Sequence, residues 1–232
     1  MLDVNLDINL NTIRRDYGSL TLSESDLLRQ DGEPLSLFRE WLELAISTQL
    51  MDPTAFVLSS VDESGQPDSR VVLLKEITND ALLFFTHYNS QKGIQFLNCK
   101  KVALNFYWRE LSRQVRIKGT IEKASRCEAE NYFSTRPLES QISAIVSHQS
   151  KAISDRESLL SAYQMLKDEI NVNKNSLKCP ENWGGYYITP FEFEFFQGRD
   201  KRLHDRIKCT KDISRDISRD ITSEWSTIRL SP

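Results

Sequence analysis

The chain has few cysteines, few histidines and no long apolar run, and each shortage argues against a class of protein. Its four cysteines are scattered without a Cys-x-x-Cys pair, and there are only three histidines. We therefore expect reduced thiols, as in the cytoplasm, and no metal site. No stretch approaches the ~18 apolar residues of a membrane helix, and the acidic N-terminus lacks the apolar core of a signal peptide. A soluble, cytoplasmic protein is the expectation.

Positive charge is not in excess either. The formal net charge is −3, so no overall basic field points to nucleic acid, and any anion site must be a local cluster of Arg and Lys. The glycine-rich nucleotide loops, the Gly-x-Ser-x-Gly elbow and the His-Glu-x-x-His zinc motif are all missing. With 39% hydrophobic and 27% charged residues, the composition is that of a globular domain.

The apolar pattern predicts a mobile arm followed by one domain. Residues 1–33 are polar and weakly patterned, and the single domain covers 34–232. Apolar residues at helical spacing predict a helix from Pro34 to Ala45, another over Ser90–Asn98 and a helical segment over about 125–170 interrupted at Pro137.

The rest of the domain is typical of short strands. The predicted strands are Thr54–Val61, Ser69–Glu76, Ala81–Thr86, Val102–Trp108, Arg113–Lys123, Tyr186–Thr189, Phe191–Gln197, Leu203–Thr210 and Ser223–Leu230. Gly184-Gly185 is interpreted as a turn or bulge. The near-repeat over 212–221 is interpreted as an insertion at a hairpin tip, with a small helix as the alternative. This pattern favours a mainly β fold with helices, an antiparallel barrel with helices packed on it.

Two segments place several phosphate-binding groups on one face. On a strand, Arg202, His204 and Arg206 would point the same way, which fits a phosphorylated or aromatic ligand or, alternatively, a solvated strand face. Tyr132 and Arg136 are one helical turn apart. Ser140 extends their line if Pro137 begins a new helix, and all three donate to phosphate. The alternative is an ordinary solvated arginine.

Two strands carry isolated polar residues. Arg70 and Lys75 would point to opposite faces of a straight strand, so they could serve two anionic groups, or one of them could be a plain edge charge. Gln114 alternates with apolar neighbours, as on a half-exposed strand.

Together these segments resemble the pyridoxamine 5'-phosphate oxidase family. The resemblance runs from Arg14-Arg15-Asp16-Tyr17 to Arg229-Leu230-Ser231-Pro232. Its most specific pieces are Arg202-Leu203-His204-Asp205-Arg206, Arg113-Gln114-Val115-Arg116 and Tyr132-Phe133-Ser134-Thr135-Arg136-Pro137. They occur in the family's order and spacing.

The resemblance implies a split β-barrel homodimer with FMN bound at the subunit interface. It implies oxidation of pyridoxamine or pyridoxine 5'-phosphate to pyridoxal 5'-phosphate, with O₂ as electron acceptor and hydrogen peroxide as product. The implied FMN contacts are Arg70, Lys75, Phe85, Thr86, Gln91, Lys92, Gln114, Gln149, Ser150, Phe196 and Arg206. The implied substrate contacts are Lys75, Tyr132, Arg136 and Ser140 at the phosphate, Arg202 and His204 as catalytic residues at the ring, and Arg14 and Tyr17 in the arm.

A few positions depart from the family pattern. Gln91 stands where a second cation beside Lys92 is usual, and Phe196 replaces a tryptophan. Ser143 and Ile145 stand where glycine and tryptophan are usual. The alternatives are a related split-barrel flavin reductase and a non-catalytic binder of pyridoxal 5'-phosphate.

Overall fold

The computed structural model describes residues 17–28, 32–173, 176–211 and 225–232. Arg14 and the predicted insertion at 212–221 lie outside these ranges. The helices are α1 (Glu24–Leu28), α2 (Pro34–Ser47), α3 (Gln91–Asn98), α4 (Arg126–Thr135), α5 (Leu138–Val146) and α6 (Arg156–Asn173). The strands are β1 (Ala55–Val61), β2 (Pro67–Leu73), β3 (Glu76–Ile77), β4 (Leu82–His87), β5 (Lys101–Trp108), β6 (Arg113–Lys123), β7 (Trp183–Gln197), β8 (Asp205–Lys211) and β9 (Trp225–Arg229).

One antiparallel sheet contains all nine of these strands. Its main order is β2-β1-β5-β6-β7-β4-β3, and β8 and β9 continue from β7 on a separate branch. The long strand β7 makes this possible, because its first half pairs with β4 and its second half with β8. A register shift between β6 and β7 at Lys118/Gly119 marks the irregularity between the two halves. The sheet curls into a half-barrel, which confirms the predicted antiparallel barrel fold.

Helix α2 closes the core on one side of the sheet. It begins at Pro34, where a missing N–H costs nothing, and its apolar residues recur at helical spacing. Phe38 and Trp41 are almost fully buried. The Phe38 ring lies 4.9 Å from Phe106, and the Trp41 ring lies 5.3 Å from Phe195. This aromatic core fixes the sheet on which the site is built.

The structure corrects two predicted elements around the site. The strand predicted over Ser69–Glu76 ends at Leu73, so Lys75 lies in the link before β3 rather than on a strand face. Gly184 and Gly185 lie inside β7 rather than in a turn. A side chain at Gly184 would collide with the Tyr88 hydroxyl, so close approach, not a bend, requires glycine there.

The segment before β8 is also not a strand. Asp200–Arg202 form a single 3₁₀ turn, and Lys201 and Arg202 take left-handed φ values of 57° and 62°. Strand β8 begins only at Asp205. The prediction that Arg202, His204 and Arg206 share one strand face is therefore wrong, because the alternation does not reach back past Asp205.

Part of the predicted arm belongs to the folded domain. Leu22, just before α1, and Leu27, within α1, are 2% and 3% exposed. Both pack in the main core. Arg229 on β9 holds the same segment through two contacts of 2.8 Å to the Glu24 carboxylate.

Candidate functional site: a cationic cavity and a second cluster

A cavity of about 640 Å³ opens between β4 and helices α3, α4 and α5. The described residues that line it include three cations and no aspartate or glutamate. Eight of the predicted site residues lie on its wall: Lys75, Phe85, Thr86, Lys92, Tyr132, Arg136, Ser140 and Gln149. An anion is the ligand that such a lining favours.

Lys92 is the most enclosed cation of this cavity. It sits in the first turn of α3, after the capping residue Ser90, and is 6% exposed. Its Nζ donates to neutral oxygens: Gln149 Oε1 at 2.9 Å, Thr86 Oγ1 at 3.4 Å and Ser90 Oγ at 3.5 Å. Burial, and then the charge of Arg70, lower the pKa of Lys92 to about 8. A buried ammonium with neutral partners favours an anionic ligand beside it.

Arg70 is close enough to Lys92 to act on it electrostatically, but it is not among the residues that line the cavity. Its Nη1 donates to Ser60 Oγ at 2.6 Å, and its Nη2 pairs with Asp68 Oδ2 at 2.5 Å. Gln95 Oε1 accepts from the same Nη2 at 3.1 Å. The guanidinium is thus fixed by its own network and acts on Lys92 through its charge.

Three aromatic side chains, Phe85, Tyr132 and Trp183, form an aromatic wall of the cavity. The Phe85 ring stacks on Tyr132 with centroids 3.9 Å apart, and Trp183 follows at 5.3 Å from Phe85. The Arg136 guanidinium lies 4.8 Å from the Trp183 ring centroid, and its buried Nη1 has no partner among the described residues. Burial lowers the pKa of Arg136 and raises that of Tyr132. A donor in this position is available to a ligand.

The connection between α4 and α5 brings the predicted phosphate donors together. Arg136 is the capping residue after α4 and is extended, as expected before a proline. Pro137 precedes α5, and Ser140 in the first turn lines the cavity. The condition set by the sequence, that a new helix begins at Pro137, is met.

His87 is a cavity residue that the sequence interpretation missed. It is 6% exposed, lines the cavity and has no partner for Nδ1 among the described residues. Burial, followed by the charges of Lys92, Arg136 and His148, lowers its pKa to about 4. Strand alternation would have placed His87 with Phe85, but a lone histidine in an apolar strand carries no further signal.

A second cluster surrounds His204. The rings of Tyr17 and Phe196 each lie 4.9 Å from the His204 ring. The backbone N–H of Arg199 donates to His204 Nδ1 at 3.0 Å, so the neutral imidazole carries its proton on Nε2. Burial, and then the charge of Arg202, lower the pKa of His204. Arg202 itself is exposed.

The sheet supplies the remaining predicted residues of this second cluster. Gln114, Phe196 and Arg206 are direct neighbours across β6, β7 and β8. The Glu194 carboxylate accepts from Arg206 Nε at 3.0 Å and Nη2 at 2.7 Å and also pairs with Arg116. None of the three neighbours lines the cationic cavity.

The last two predicted residues are chain neighbours of the cavity residues Lys92 and Gln149. Gln91 and Ser150 are exposed and are not among the residues that line the cationic cavity. Within the described part of the chain, no helix is long and apolar enough to cross a membrane. No group of three or more potential metal ligands occurs there either.

Comparisons with known proteins cover nearly the whole chain. Residues 42–166 match the family model described as pyridoxamine 5'-phosphate oxidase, and residues 183–232 match the pyridoxine 5'-phosphate oxidase C-terminal dimerisation region. A pyridoxine/pyridoxamine 5'-phosphate oxidase of Legionella pneumophila (strain Paris) is 47% identical, covering 97% of this chain and 98% of its own length. That of Leptospira interrogans (strain Fiocruz L1-130) is 39% identical, covering 98% and 100%.

Two solved structures share the fold of this chain over most of its length. PhzG from Burkholderia lata 383, solved with tetrahydrophenazine-1-carboxylic acid, superposes with a TM-score of 0.81 at 26% identity, covering 93% of this chain and 100% of that one. An FMN-binding protein related to pyridoxamine 5'-phosphate oxidase from Nostoc punctiforme has a TM-score of 0.66 at 15% identity, covering 84% and 97%. By its sequence relatives, its matched domains and its fold, the chain belongs to the pyridoxamine 5'-phosphate oxidase family.

Proposed function

We propose that the protein oxidises pyridoxamine 5'-phosphate or pyridoxine 5'-phosphate to pyridoxal 5'-phosphate with FMN as cofactor. When pyridoxamine 5'-phosphate is the substrate, its C4' carbon loses two electrons and O₂ is reduced to hydrogen peroxide. Water supplies the aldehyde oxygen, and the amine leaves as ammonia. The observation that carries the proposal is the cavity itself, which combines three cations, no carboxylate and an aromatic wall. Relatives named for this activity, identical at 39–47% over nearly their full length, support it.

The Lys92 side of the cavity fits the phosphate of FMN. Lys92 Nζ donates a hydrogen bond to Gln149 Oε1 at 2.9 Å, and Thr86 Oγ1 donates to the same oxygen at the same distance. A phosphate would place a counterion beside the buried ammonium, whose hydrogen-bond partners among the described residues are all neutral. Bound there, the flavin would supply hydride-acceptor chemistry, while the protein would position the reactants.

The Arg136 side fits the phosphate of the substrate. Lys75, Tyr132, Arg136 and Ser140 present an ammonium, a phenol, a guanidinium and a hydroxyl to one space. Each donates to phosphate oxygens, and the unpaired Arg136 Nη1 gives one of these bonds without breaking another.

The second cluster would complete the site across a dimer. Arg202, His204 and Arg206 lie within the matched dimerisation region, and none of them lines the cationic cavity of their own subunit. We propose that the second cluster of one subunit closes the cavity of its partner, with Arg202 and His204 against the substrate ring. Gln114, Phe196 and Arg206 would then contact the flavin, with Tyr17 near the ring.

Oxygen consumption tests the proposal directly. Protein saturated with FMN should consume O₂ and form aldehyde when given either phosphorylated substrate. A flat oxygen-electrode trace with both substrates would contradict the oxidase assignment. Retained binding of pyridoxal 5'-phosphate in that case would favour the non-catalytic binder, and turnover only with another electron donor would favour the reductase.

A further inference from the structure

The wall of the cationic cavity holds two buried polar atoms that lack a partner among the described residues. One is Arg136 Nη1 and the other is His87 Nδ1. His87 is more than nine-tenths buried, and its ring lines the cavity. A buried polar atom without a hydrogen bond costs free energy, so each such atom calls for a ligand or an ordered water.

The strand geometry shows on which side of β4 the imidazole lies. Phe85 and His87 are two residues apart, so their side chains leave the same face of the strand. His87 pairs directly with Trp183 across the ladder, and Trp183 in turn lies under the Arg136 guanidinium. Thr86, between them in sequence, points to the other face and contacts Gln149.

We infer that His87 is a further ligand of the substrate phosphate, acting beside Arg136 in the same subsite. The inference rests on the proposed function for the identity of the ligand. The subsite would then have five donors: Lys75, Tyr132, Arg136, Ser140 and His87. The imidazole is the one member of this set that can change its charge near neutral pH.

The surroundings of His87 predict a proton-linked binding step. Lys92 on α3, Arg136 after α4 and His148 after α5 all act against its protonation, and burial adds to them. Among the described residues, no carboxylate lines the cavity to offset them. A bound phosphate dianion would favour the imidazolium form, so the pKa of His87 would rise from about 4 and a proton would be taken up on binding in mildly acidic buffer.

Two variants separate this role from a structural one. His87→Asn keeps a short polar group but does not titrate, whereas His87→Leu removes hydrogen bonding. We expect His87→Leu to raise KM for the substrate about 3- to 12-fold, the value of one hydrogen bond, and to leave FMN affinity unchanged. His87→Asn should restore most of the KM.

Calorimetry of the FMN-loaded protein measures the proton. The probe is 4-deoxypyridoxine 5'-phosphate, which has the ring and phosphate but no oxidisable group on C4', titrated at pH 6 in buffers of different ionisation enthalpy. Wild type should take up more protons per ligand than His87→Asn. The matched control is His148→Asn, which changes the exposed neighbouring imidazole and should keep the uptake.

Several results would overturn the inference. An unchanged KM in His87→Leu, an equal loss of FMN and substrate affinity, or equal proton uptake in wild type and His87→Asn would each exclude His87 as a substrate ligand. If His87→Leu does not fold, the comparison of wild type with His87→Asn still decides. If the wild type neither turns over nor binds the analogue, the proposed function fails, and the same titration with inorganic phosphate still tests His87 as an anion ligand.

Discussion

The guanidinium of Arg136 combines burial, an aromatic neighbour and a free donor. It lies 4.8 Å from the Trp183 ring, and Nη1 has no partner among the described residues. We expect Arg136→Ala to raise the substrate KM roughly 10- to 150-fold, because a charge-assisted bond of about 1.5–3 kcal/mol is lost. Initial rates of O₂ uptake and quenching of FMN fluorescence measure the two affinities separately.

Arg136→Lys is the matched control for that change. Lysine keeps the charge but not the planar fork, so its KM should fall between wild type and Arg136→Ala. An equal loss of FMN and substrate affinity in Arg136→Ala would show that this arginine serves the flavin phosphate instead.

We expect His204 to produce an acidic limb in the pH profile of kcat/KM. Its Nδ1 accepts the Arg199 N–H at 3.0 Å, so protonation would break that bond, and burial and Arg202 lower its pKa below the usual 6.5. The neutral form therefore dominates above that value, and kcat/KM should fall as pH falls through the lowered pKa. A pH profile of His204→Asn should lack this limb. An identical limb in the variant would assign it to another group.

Individual site residues could be predicted where a family motif marks them. Lys92, Tyr132, Arg136 and Ser140, which the resemblance names as ligand contacts, all line the cavity. His87 could not be found this way, because its burial and its unpaired nitrogen depend on the packing of α3, α4 and α5 around β4. The role of each of these residues in ligand binding stays a prediction.

At the scale of elements, β9 holds α1 in place. Arg229 contacts both carboxylate oxygens of Glu24 at 2.8 Å and Asp205 at 3.0 Å, and the Leu22 N–H donates to the same Asp205. The Arg229 hydrogen bond, followed by a backbone hydrogen bond at Glu24, lowers the pKa of Glu24 to about 2. The Glu24 carboxylate therefore stays ionised, and available to Arg229, in neutral and mildly acidic solution.

Removal of the Arg229 contacts should loosen the segment that carries Tyr17. We expect Arg229→Ala to speed hydrogen exchange of the amides at 20–28 about 2- to 5-fold, as for partly exposed ion pairs, and to raise the substrate KM because Tyr17 lies against His204. Lys100→Ala breaks an exposed pair with Glu122 and is the control without effect. Unchanged exchange at 20–28 would show that the apolar contacts of Leu22 and Leu27 suffice.

Elements were predictable where periodicity is strong and failed where backbone geometry departs from it. Strand β6 was predicted with its exact bounds, because apolar and polar residues alternate through most of Arg113–Lys123. The turn at Asp200–Arg202 was not, since left-handed φ at Lys201 and Arg202 leaves no mark in residue types that rarely adopt it. The alternation argument for Arg202 failed for the same reason.

At the scale of the whole molecule, the predicted site residues form two groups in one chain. The cavity group centres on Arg136, and the second cluster centres on His204 on the β8 side of the sheet. The sequence could predict the antiparallel fold, and the family resemblance named residues that belong to each group. It could not show their separation, which depends on how β7 divides its pairing between β4 and β8.

A mixed dimer can test whether two subunits share each site. We expect light scattering to show a dimer, and we expect Arg136→Ala and His204→Ala each to turn over slowly at low substrate concentration. In a heterodimer of the two variants, one shared site would carry both changes and the other would carry neither. Activity should therefore recover to about half that of the wild-type dimer, since one of two sites is intact.

The alternative arrangement gives the opposite result. If both groups of a site came from the same subunit, every site in the heterodimer would carry one change, and the mixture would be no more active than the mean of its parents. Differently tagged chains, co-expressed and purified through both tags, isolate the heterodimer from the parental dimers. A heterodimer of Arg136→Ala with Arg136→Ala,His204→Ala is the matched control, because every site in it lacks Arg136 whichever arrangement holds. Recovery in the first heterodimer but not in the control would assign Arg136 and His204 of one site to different subunits.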